Sequence, residues 1–300
     1  CTTGMCIDFA VGSDWPGFLG PDRNAKSTET GIARSWPEAG PKVLWTIKLG
    51  KGYGGAAILG DEVFVLDRVG NKQDVVRCLD LATGKELWSY AYDAPGKFSH
   101  DGSRSTPSVD ADNVYTIGPL GDLYCISRKT HKPVWNKQLL KEFGGKKPMW
   151  VVTQSPLLYK DMVIAAPQGK SAGVAAFNRT DGKLVWKSPS VGGLSYCSPK
   201  ITTLGGVEQV VMLSHKGPVS GFDLTNGKIL WSYKGWSCRI PITSPTPIGD
   251  GRIFITGEYG AGSAMIKVAR SGAKFSVTEL YKTDVCGAQI HQPILHENHL

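Results

Sequence analysis

The chain has 300 residues, of which 41% are hydrophobic and 20% charged, and this composition is typical of a globular protein and excludes a disordered or collagen-like chain. No run of about 18 apolar residues occurs, so the sequence predicts no membrane-spanning helix. With 34 Lys and Arg against 26 Asp and Glu, the net charge is a modest +8, and no nucleic-acid-binding motif accompanies it. Seven cysteines are too few for a disulfide-based fold.

The first thirteen residues precede the repeating part of the chain. They begin with Cys1, without an initiator Met. If Cys1 is the lipidated residue of a mature lipoprotein, residues 1–13 form a short tether to a membrane; alternatively they are the remains of a signal peptide, or an arbitrary cut. We expect an exported protein, in the periplasm or at the cell surface, and leave lipidation open.

A motif of eleven residues recurs along the chain and ends each time in Trp. Four copies align without gaps, at 78–88, 125–135, 176–186 and 221–231. A fifth, 266–276, keeps Gly272 in register but lacks the Trp. The intervals between successive tryptophans are 43, 47, 51 and 45 residues, for the series Trp45, Trp88, Trp135, Trp186 and Trp231. A period in the forties indicates a repeat architecture.

Each repeat reads as four short strands. Strand-like segments such as 114–117 and 123–126 are followed by a tight turn and then by the strand that carries Trp. In the turn, an Asp or Asn can bond its own backbone, and Gly84 or its equivalent supplies the positive φ that a hairpin needs. We expect each Trp to pack between neighbouring sheets and to bond a carbonyl there. The sequence therefore predicts an all-β fold, a β-propeller of four-stranded antiparallel blades, because a β-sandwich would not repeat this signature so regularly.

A second recurring position lies two residues before a proline, ahead of each first strand. The series is Gly54 (before Ala56), Ser105, Gln154, Cys197, Thr243 and His291. Complete sets of four strands begin at the first five of these positions, and 291–300 begins a sixth set. Residues 43–49, which contain Trp45, look like an isolated last strand that would close the final blade. We therefore expect five complete blades and part of a sixth, in a propeller domain over residues 14–300 that is truncated at its C-terminal end.

The recurring motif also carries a family resemblance. Its pattern A-x-D-x-x-T-G-K-x-x-W, matched by 78–88 and 221–231, resembles the tryptophan-docking motif of quinoprotein-type propellers. The segment 14–23 (DWPGFLGPDR) resembles the opening of the PQQ-binding-like repeat proteins of bacterial envelopes. The resemblance covers 14–300 and implies a parent ring of seven or eight blades. Some members are dehydrogenases that hold pyrroloquinoline quinone (PQQ) and calcium on the axis; others, such as the lipoprotein propeller of the outer-membrane assembly machinery, are scaffolds without a cofactor.

The residues favour the scaffold over the dehydrogenase. A quinone-dependent dehydrogenase needs a carboxylate base and oxygen ligands for calcium, and its alcohol-oxidising members have two adjacent cysteines. This sequence has no adjacent cysteines, and the loops that enter the first strands offer Asp101, Asp284 and few other acids. We expect an exported, non-catalytic scaffold for a protein or polysaccharide partner. The alternative is a PQQ- and calcium-dependent alcohol or sugar dehydrogenase whose ligands lie largely in missing blades.

The candidate ligand-binding residues lie near the predicted axis of the ring. They are Arg104, Gln154, Tyr196, Arg239 and His291, with Trp150 close by in the sequence. Two guanidinium groups and an aromatic lid would suit an anionic or quinone-like ligand. Alternatively, these groups plug the narrow end of the ring with hydrogen bonds.

Three other groups of residues have two possible interpretations. Cys238 and Cys286 precede equivalent positions of adjacent blades, so they either pair, with a Cys/Cys/His site at His291 conceivable, or are ordinary cysteines. The cluster of His291, His296 and His299 fits an interrupted strand better than a metal site. The basic loop with Lys137, Lys141, Lys146 and Lys147 either contacts a lipid, polysaccharide or protein partner or is a solvated loop.

Overall fold

The computed structural model describes residues 12–300 of the chain. Within them, twenty strands form five four-stranded antiparallel sheets, and in each sheet the strands lie side by side in sequence order. This meander is the arrangement of a propeller blade, so the predicted β-propeller architecture is confirmed. We number the sheets blades 1 to 5.

The strands have the following bounds. Blade 1 contains β1 (Ala57–Leu59), β2 (Glu62–Val69), β3 (Gln73–Asp80) and β4 (Glu86–Asp93). Blade 2 contains β5 (Ser108–Val109), β6 (Asn113–Ile117), β7 (Asp122–Ser127) and β8 (Pro133–Gln138), and is followed by the short helix α1 (Leu139–Phe143). Blade 3 contains β9 (Leu157–Tyr159), β10 (Met162–Ala165), β11 (Ala175–Asn178) and β12 (Leu184–Lys187). Blade 4 contains β13 (Lys200–Leu204), β14 (Val207–Leu213), β15 (Val219–Asp223) and β16 (Ile229–Tyr233). Blade 5 contains β17 (Thr246–Gly249), β18 (Arg252–Gly257), β19 (Gly262–Ser271) and β20 (Lys274–Thr283).

The hydrophobic core lies between the blades. Every residue of β10 is buried, because neighbouring blades cover both faces of the inner strands. On β12, the outer strand of the same blade, Trp186 is buried and its neighbours are exposed. The largest cluster of buried apolar side chains extends from blade 3 through blade 4 to blade 5. The blades are therefore held together by apolar packing of sheet on sheet, to which the outer strands of blades 1 to 4 each contribute a buried Trp.

The indole groups add hydrogen bonds between blades. Three indole N–H groups donate to a backbone carbonyl of the following blade over 2.7 to 2.9 Å: Trp45 to Leu81, Trp135 to Arg179 and Trp186 to Leu224. Each ring lies over the turn glycine of that blade. Gly182 has a φ of 69°, and a Cβ added to it would lie 2.7 Å from the Trp135 ring. Glycine is required here both for the backbone conformation and for the close approach of the indole.

The other two tryptophans of the series make different contacts. Trp88 stacks on His131 of blade 2. Trp231 donates its N–H to the Gln209 side chain of its own blade, at 2.5 Å. A Cβ added to Gly272 would have open space around it, so no indole packs on that turn of blade 5. The Tyr233 hydroxyl instead donates to Glu279 and connects blades 4 and 5.

The segment of residues 15–26, which we call the strap, crosses the first strands of the blades in order. Trp15 exchanges two backbone hydrogen bonds with Ile58 of β1, each 2.9 Å long. The next residue, Pro16, accepts the N–H of Val109 in β5 at 2.8 Å. The beginning of the strap therefore joins blades 1 and 2.

The later part of the strap reaches blades 3 and 4. The Arg23 guanidinium donates to the carbonyl of Pro156, just before β9, at 3.1 Å. The Lys200 ammonium in β13 donates to the strap carbonyl of Asp22 at 3.2 Å. The opening motif, which the sequence offered only as a family signature, is thus a structural tie across four blades.

Two segments expected to belong to incomplete blades have no regular strand. Residues 43–49 lie beside no partner strand among the described residues, and Val43 and Leu44 are 73% and 71% exposed. Residues 291–300 form only a bridge between His296 and His299. A strand needs a neighbour for its hydrogen bonds, which explains why both segments are irregular here.

The cysteines of the described residues are all free thiols, so Cys238 and Cys286 are not paired. Cys238 is buried and Cys286 exposed. Cys1, the possible lipidation site, lies outside the described residues. In the described part of the chain, no helix is long and apolar enough to cross a membrane, and no group of three or more His, Cys, Asp or Glu residues converges as a metal site would require.

Candidate functional site

The predicted anchor residues bond the backbone of their own blades. The Gln154 side-chain amide accepts the N–H of Ala166 at 2.6 Å and donates to the Ala166 carbonyl at 2.7 Å. In blade 5, the Thr243 hydroxyl donates to the carbonyl of Thr256 at 2.9 Å. Gln154 is only 1% exposed. Its amide therefore fixes the start of blade 3 against the end of β10, and both of its polar atoms are engaged there.

The position after each anchor connects neighbouring blades. Four backbone N–H groups donate to the side chain at the same position of the next blade over 2.9 to 3.1 Å: Gly55 to Thr106, Thr106 to Ser155, Ser155 to Ser198, and Ser244 to Gln292. Between Ser198 and Ser244, the Ser244 hydroxyl donates to the Ser198 carbonyl at 2.8 Å. This position is not among the predicted site residues, although the sequence carries its signal, a Ser or Thr directly before the proline in blades 2 to 5.

A cavity of about 290 Å³ opens where the segments leading into blades 3, 4 and 5 meet, and we call it the entry cavity. Two of the predicted ligand-binding residues, Tyr196 and Arg239, line it. The rest of its lining is Lys146, Lys147, Pro148, Met149, Trp150, Leu194, His215 and Ile240. Four segments that are far apart in the sequence therefore contribute to one concave surface.

One wall of the entry cavity is aromatic. The rings of Trp150 and Tyr196 have centroids 5.5 Å apart and planes inclined by 49°. The backbone N–H of Trp150 donates to the Tyr196 hydroxyl at 3.4 Å, and the Thr153 hydroxyl donates to the Tyr196 carbonyl at 2.5 Å. Burial raises the pKa of Tyr196, so its phenol is neutral near pH 7 and retains an O–H to donate. The wall offers flat apolar faces and one hydroxyl.

Arg104 stands behind this wall. Its guanidinium donates to the Trp150 carbonyl at 2.9 Å and to the His100 carbonyl at 2.5 Å, and its Cζ lies 5.0 Å from the centroid of the Tyr53 ring. Partial burial lowers the pKa of Arg104, but a guanidinium remains charged at neutral pH. Arg104 is not part of the cavity lining. Its contacts make it a positioning residue for Trp150.

The remaining walls are electropositive. Lys146, Lys147 and Arg239 are exposed and line the entry cavity, and among the described residues no Asp or Glu lines it. The Lys147 ammonium lies 5.4 Å from the centroid of the Phe98 ring. A concave surface with three cations and an aromatic wall attracts carboxylates or planar anions.

Two predicted ligand-binding residues lie elsewhere. Gln154 is used within its blade, as described above, and His291 is exposed outside the entry cavity. Beside His291, the Gln292 side chain donates to the Ser244 carbonyl at 2.9 Å and accepts the Ser244 N–H at 2.9 Å. The structure thus brings together Tyr196, Arg239 and, through Trp150, Arg104, but neither Gln154 nor His291.

The entry cavity does not suit calcium. In proteins this ion takes about six to eight oxygen ligands, several of them carboxylates. The described lining offers cationic and aromatic side chains instead. Of the two groups that quinoprotein dehydrogenases hold, the cavity therefore matches an anionic, planar organic molecule better than the metal ion.

Comparison with known proteins assigns the family. A family model described as outer membrane protein assembly factor BamB matches residues 71–298, most of the chain. The chain belongs to this family. The matched residues include β3 and β4 of blade 1 and all of blades 2 to 5. They are the same repeats that build the described sheets.

The relatives include both an assembly factor and a subunit of a dehydrogenase. Outer membrane protein assembly factor BamB from Moranella endobia (strain PCIT) is 24% identical over 206 residues, which are 65% of this chain and 49% of that protein. The dehydrogenase subunit of alcohol dehydrogenase (quinone) from Gluconobacter oxydans (strain 621H) is 28% identical over 193 residues, 59% of this chain and 24% of that protein. The chain therefore spans about half the length of the first relative and about a quarter of the second.

The fold comparison agrees with the family. The crystal structure of BamB from Moraxella catarrhalis superposes with a TM-score of 0.57 at 23% sequence identity, over 82% of this chain and 68% of that chain. At this identity the likeness concerns the fold alone. It supports the same blade architecture as the strand order described above.

Proposed function

We propose that this protein is a non-catalytic β-propeller of the bacterial cell envelope, with one domain over residues 14–300, that binds an acidic segment of a partner protein in the entry cavity. The observation that carries the proposal is the lining, in which Lys146, Lys147 and Arg239 surround the wall formed by Trp150 and Tyr196. Guanidinium and ammonium groups pair with carboxylates, while the aromatic faces accept an apolar side chain next to them.

Two further arguments support the envelope location and the choice of a protein partner. The envelope location is supported by the similarity to an outer membrane assembly factor. A polysaccharide is the other partner class that the sequence leaves open. The cationic lining favours a protein segment with carboxylate side chains over a neutral glycan, because charge complementarity gives specificity only to a charged partner.

The experiment measures binding of a fluorescent peptide rich in Glu, with one Phe, by anisotropy. A Lys-rich peptide of equal length is the matched probe of opposite charge. We expect the acidic peptide alone to bind, with an affinity that falls as salt is added. Lys147→Gln and Arg239→Gln should each weaken binding about fivefold, the effect of about 1 kcal/mol for one contact between exposed charges. Lys228→Gln, an equal charge change on the blade 4 docking turn, should leave binding unchanged.

Either of two results would contradict this proposal. One is equal binding of the two peptides, and the other is an affinity that Lys147→Gln and Arg239→Gln do not change. A neutral glycan that competes with the acidic peptide would shift the assignment to the polysaccharide class.

The second candidate function is a quinone-dependent dehydrogenase. It is favoured by the similarity to alcohol dehydrogenase (quinone), and by Arg239 next to the aromatic wall, which could hold an anionic quinone such as PQQ. Titration with PQQ, with and without calcium, followed by quenching of Trp fluorescence and by dye-linked alcohol oxidation, separates the two functions. Turnover would replace the scaffold proposal, whereas acidic-peptide binding without turnover supports it.

A further inference from the structure

A second cavity, of about 300 Å³, lies between the strap and the first strands of blades 4 and 5. We call it the strap cavity. Its walls come from the strap, from the start of β13, and from the segments that contain Ser244 and Gln292. The lining residues are Leu19, Asp22, Arg23, Asn24, Lys26, Lys200, Ile201, residues 244–247, Gln292, Pro293 and Leu295. None of its described lining residues also lines the entry cavity. The proposed function does not use it.

Three cations line the strap cavity. The ammonium of Lys200, a residue that is 8% exposed, donates to the carbonyls of Asp22, at 3.2 Å, and Arg23, at 2.5 Å. Lys26 donates to the carbonyl of Leu295 at 3.1 Å. Arg23 donates one Nη to the carbonyl of Pro156. All of these acceptors are neutral carbonyl oxygens, so none of the three side chains forms an ion pair with a carboxylate among the described residues.

The positive charge is incompletely compensated. The second Nη of Arg23 is buried and has no hydrogen-bond partner among residues 12–300. A buried donor without a partner is uncommon and points to a missing ligand or water. Among the described lining residues, Asp22 carries the one negative charge against three positive ones, and the others, from blades 4 and 5 and from 292–295, are neutral apart from Lys200.

The pKa values of Lys200 and Arg23 reflect the excess of positive charge in the strap cavity. Burial, then the neighbouring charge of Arg23, lower the pKa of Lys200 to about 8, while Asp22 acts in the opposite direction. Burial lowers the pKa of Arg23 to about 10. Two cations held close together in a poorly solvated place weaken each other's charged form, and an anion between them would reverse this effect.

We propose that the strap cavity binds an oxyanion group, a phosphate or a carboxylate, between Arg23, Lys26 and Lys200. The volume exceeds that of a bare phosphate, which leaves room for an organic part of the ligand against the neutral walls. All three cations are positioned by backbone carbonyl acceptors, and Lys26 is the exposed one at the edge of the cavity. The bound ligand would lie on the strap and on the first strands of two blades at once.

The test is calorimetry on the full chain with inorganic phosphate, glucose 6-phosphate and citrate at millimolar concentration and constant ionic strength. We expect at least one of the three to bind. Binding of inorganic phosphate would show that the oxyanion suffices, and binding of only the larger anions that the organic part contributes. Lys26→Gln should weaken binding about fivefold. Lys200→Met should weaken it about tenfold or more, because the buried ammonium of Lys200 is less screened by solvent than that of Lys26.

Two measurements keep the proposal testable if Lys200→Met does not fold. Lys26→Gln changes an exposed residue, with Lys228→Gln as the matched control that should bind like the wild type. In addition, NMR of labelled lysine should show the pKa of Lys200 rising when the anion is bound. The proposal fails if none of the three anions binds. It also fails if the affinity is the same in Lys26→Gln and the pKa of Lys200 does not change when the anion is bound. Lys147→Gln in the entry cavity should not affect this binding, which separates this result from the peptide experiment.

Discussion

The indole of Trp88 lies flat against the imidazole of His131, with ring centroids 4.9 Å apart and planes inclined by 9°. His131 stands at the turn position where blades 1, 3 and 4 have glycine, and it keeps the positive φ of those glycines, at 59°. Among the described residues, the Trp88 N–H has no acceptor. Blade 1 therefore docks on blade 2 by ring stacking, in place of the hydrogen bond that Trp135 makes to blade 3.

The first prediction is that His131→Gly stabilises the protein by about 1 kcal/mol. The substitution removes an unfavourable left-handed conformation and lets the Trp88 N–H find a carbonyl, effects of about 1 kcal/mol or more each, and it loses a stacked pair of about 0.5 to 1.5 kcal/mol. Chemical denaturation measures the change in the free energy of unfolding. Protection of the Trp88 indole proton from exchange would report the new hydrogen bond.

The opposite substitution in blade 3 is the control. Gly182→His would place a Cβ 2.7 Å from the Trp135 ring, which already has its carbonyl acceptor. We expect a loss of about 2 to 4 kcal/mol. If His131→Gly and Gly182→His destabilise the protein equally, the stacking of Trp88 on His131 is not a weaker form of docking than the hydrogen bond of Trp135.

The second prediction concerns the hydrogen bonds between blades. Ser155→Ala removes the acceptor of the Thr106 N–H, which is buried, so the stability should fall by about 1 to 3 kcal/mol. Ser89→Ala removes a hydroxyl from the exposed face of β4 and should change the stability by less than about 0.5 kcal/mol. Equal effects of the two substitutions would contradict the role given to Ser155.

The repeats show how far the sequence predicts the molecule. The spacing of Trp88, Trp135, Trp186 and Trp231 predicts the blades, because each outer strand must bury one large apolar group against the next sheet. The spacing does not predict that the Trp231 indole donates to Gln209 of its own blade. That contact depends on the shape of blade 5, whose long outer hairpin presents no turn beneath the indole.

The candidate site is less predictable. Tyr196 and Arg239 are brought together by their equivalent places in neighbouring blades, which the repeat alignment reveals. His215 comes from the loop between β14 and β15, and nothing in its sequence neighbourhood connects it with them. The position of Gln154 before its proline predicts a place near the axis, but the sequence does not show whether a buried amide faces a ligand or its own backbone. In the structure the amide bonds the backbone of Ala166.

The third prediction follows from a buried ion pair in blade 1. Arg68 donates to Asp74 at 2.7 Å, and the two side chains are 1% and 0% exposed. Burial raises the pKa of Asp74 to about 6, from an ordinary 3.8, although Arg68 acts against this. Between these values the folded state holds a proton that the unfolded state has lost, so this group makes the protein less stable as the pH rises through that window.

Asp74→Asn tests the sign of this effect. The amide still offers Arg68 an acceptor but cannot titrate. From pH 4 to pH 6, the wild type should lose stability relative to this variant by an amount on the order of 2 kcal/mol. Asp250→Asn is the control: the hydrogen bond from Lys267 lowers the pKa of exposed Asp250 below its ordinary 3.8, so its effect on stability lies below that pH, and this variant should run parallel to the wild type from pH 4 to pH 6. Denaturation curves across this range measure both, and a flat difference for Asp74→Asn would rule out the raised pKa.

The last prediction tests the strap through two glycines that share a backbone conformation. Gly20 and Gly31 have φ values of 78° and 72°. A Cβ on Gly20 would lie 2.8 Å from the Trp15 ring, whereas a Cβ on Gly31 would meet nothing within 4 Å. Gly31→Ala should cost about 1 kcal/mol, for the left-handed conformation alone, and Gly20→Ala about 2 to 3 kcal/mol, because the indole must also move. Hydrogen exchange localises the effect: in Gly20→Ala the amide of Ile58, which donates to the Trp15 carbonyl, should exchange faster, and in Gly31→Ala it should not. Equal losses of stability, or an unchanged Ile58 amide in Gly20→Ala, would mean that Trp15 does not hold the strap on blade 1.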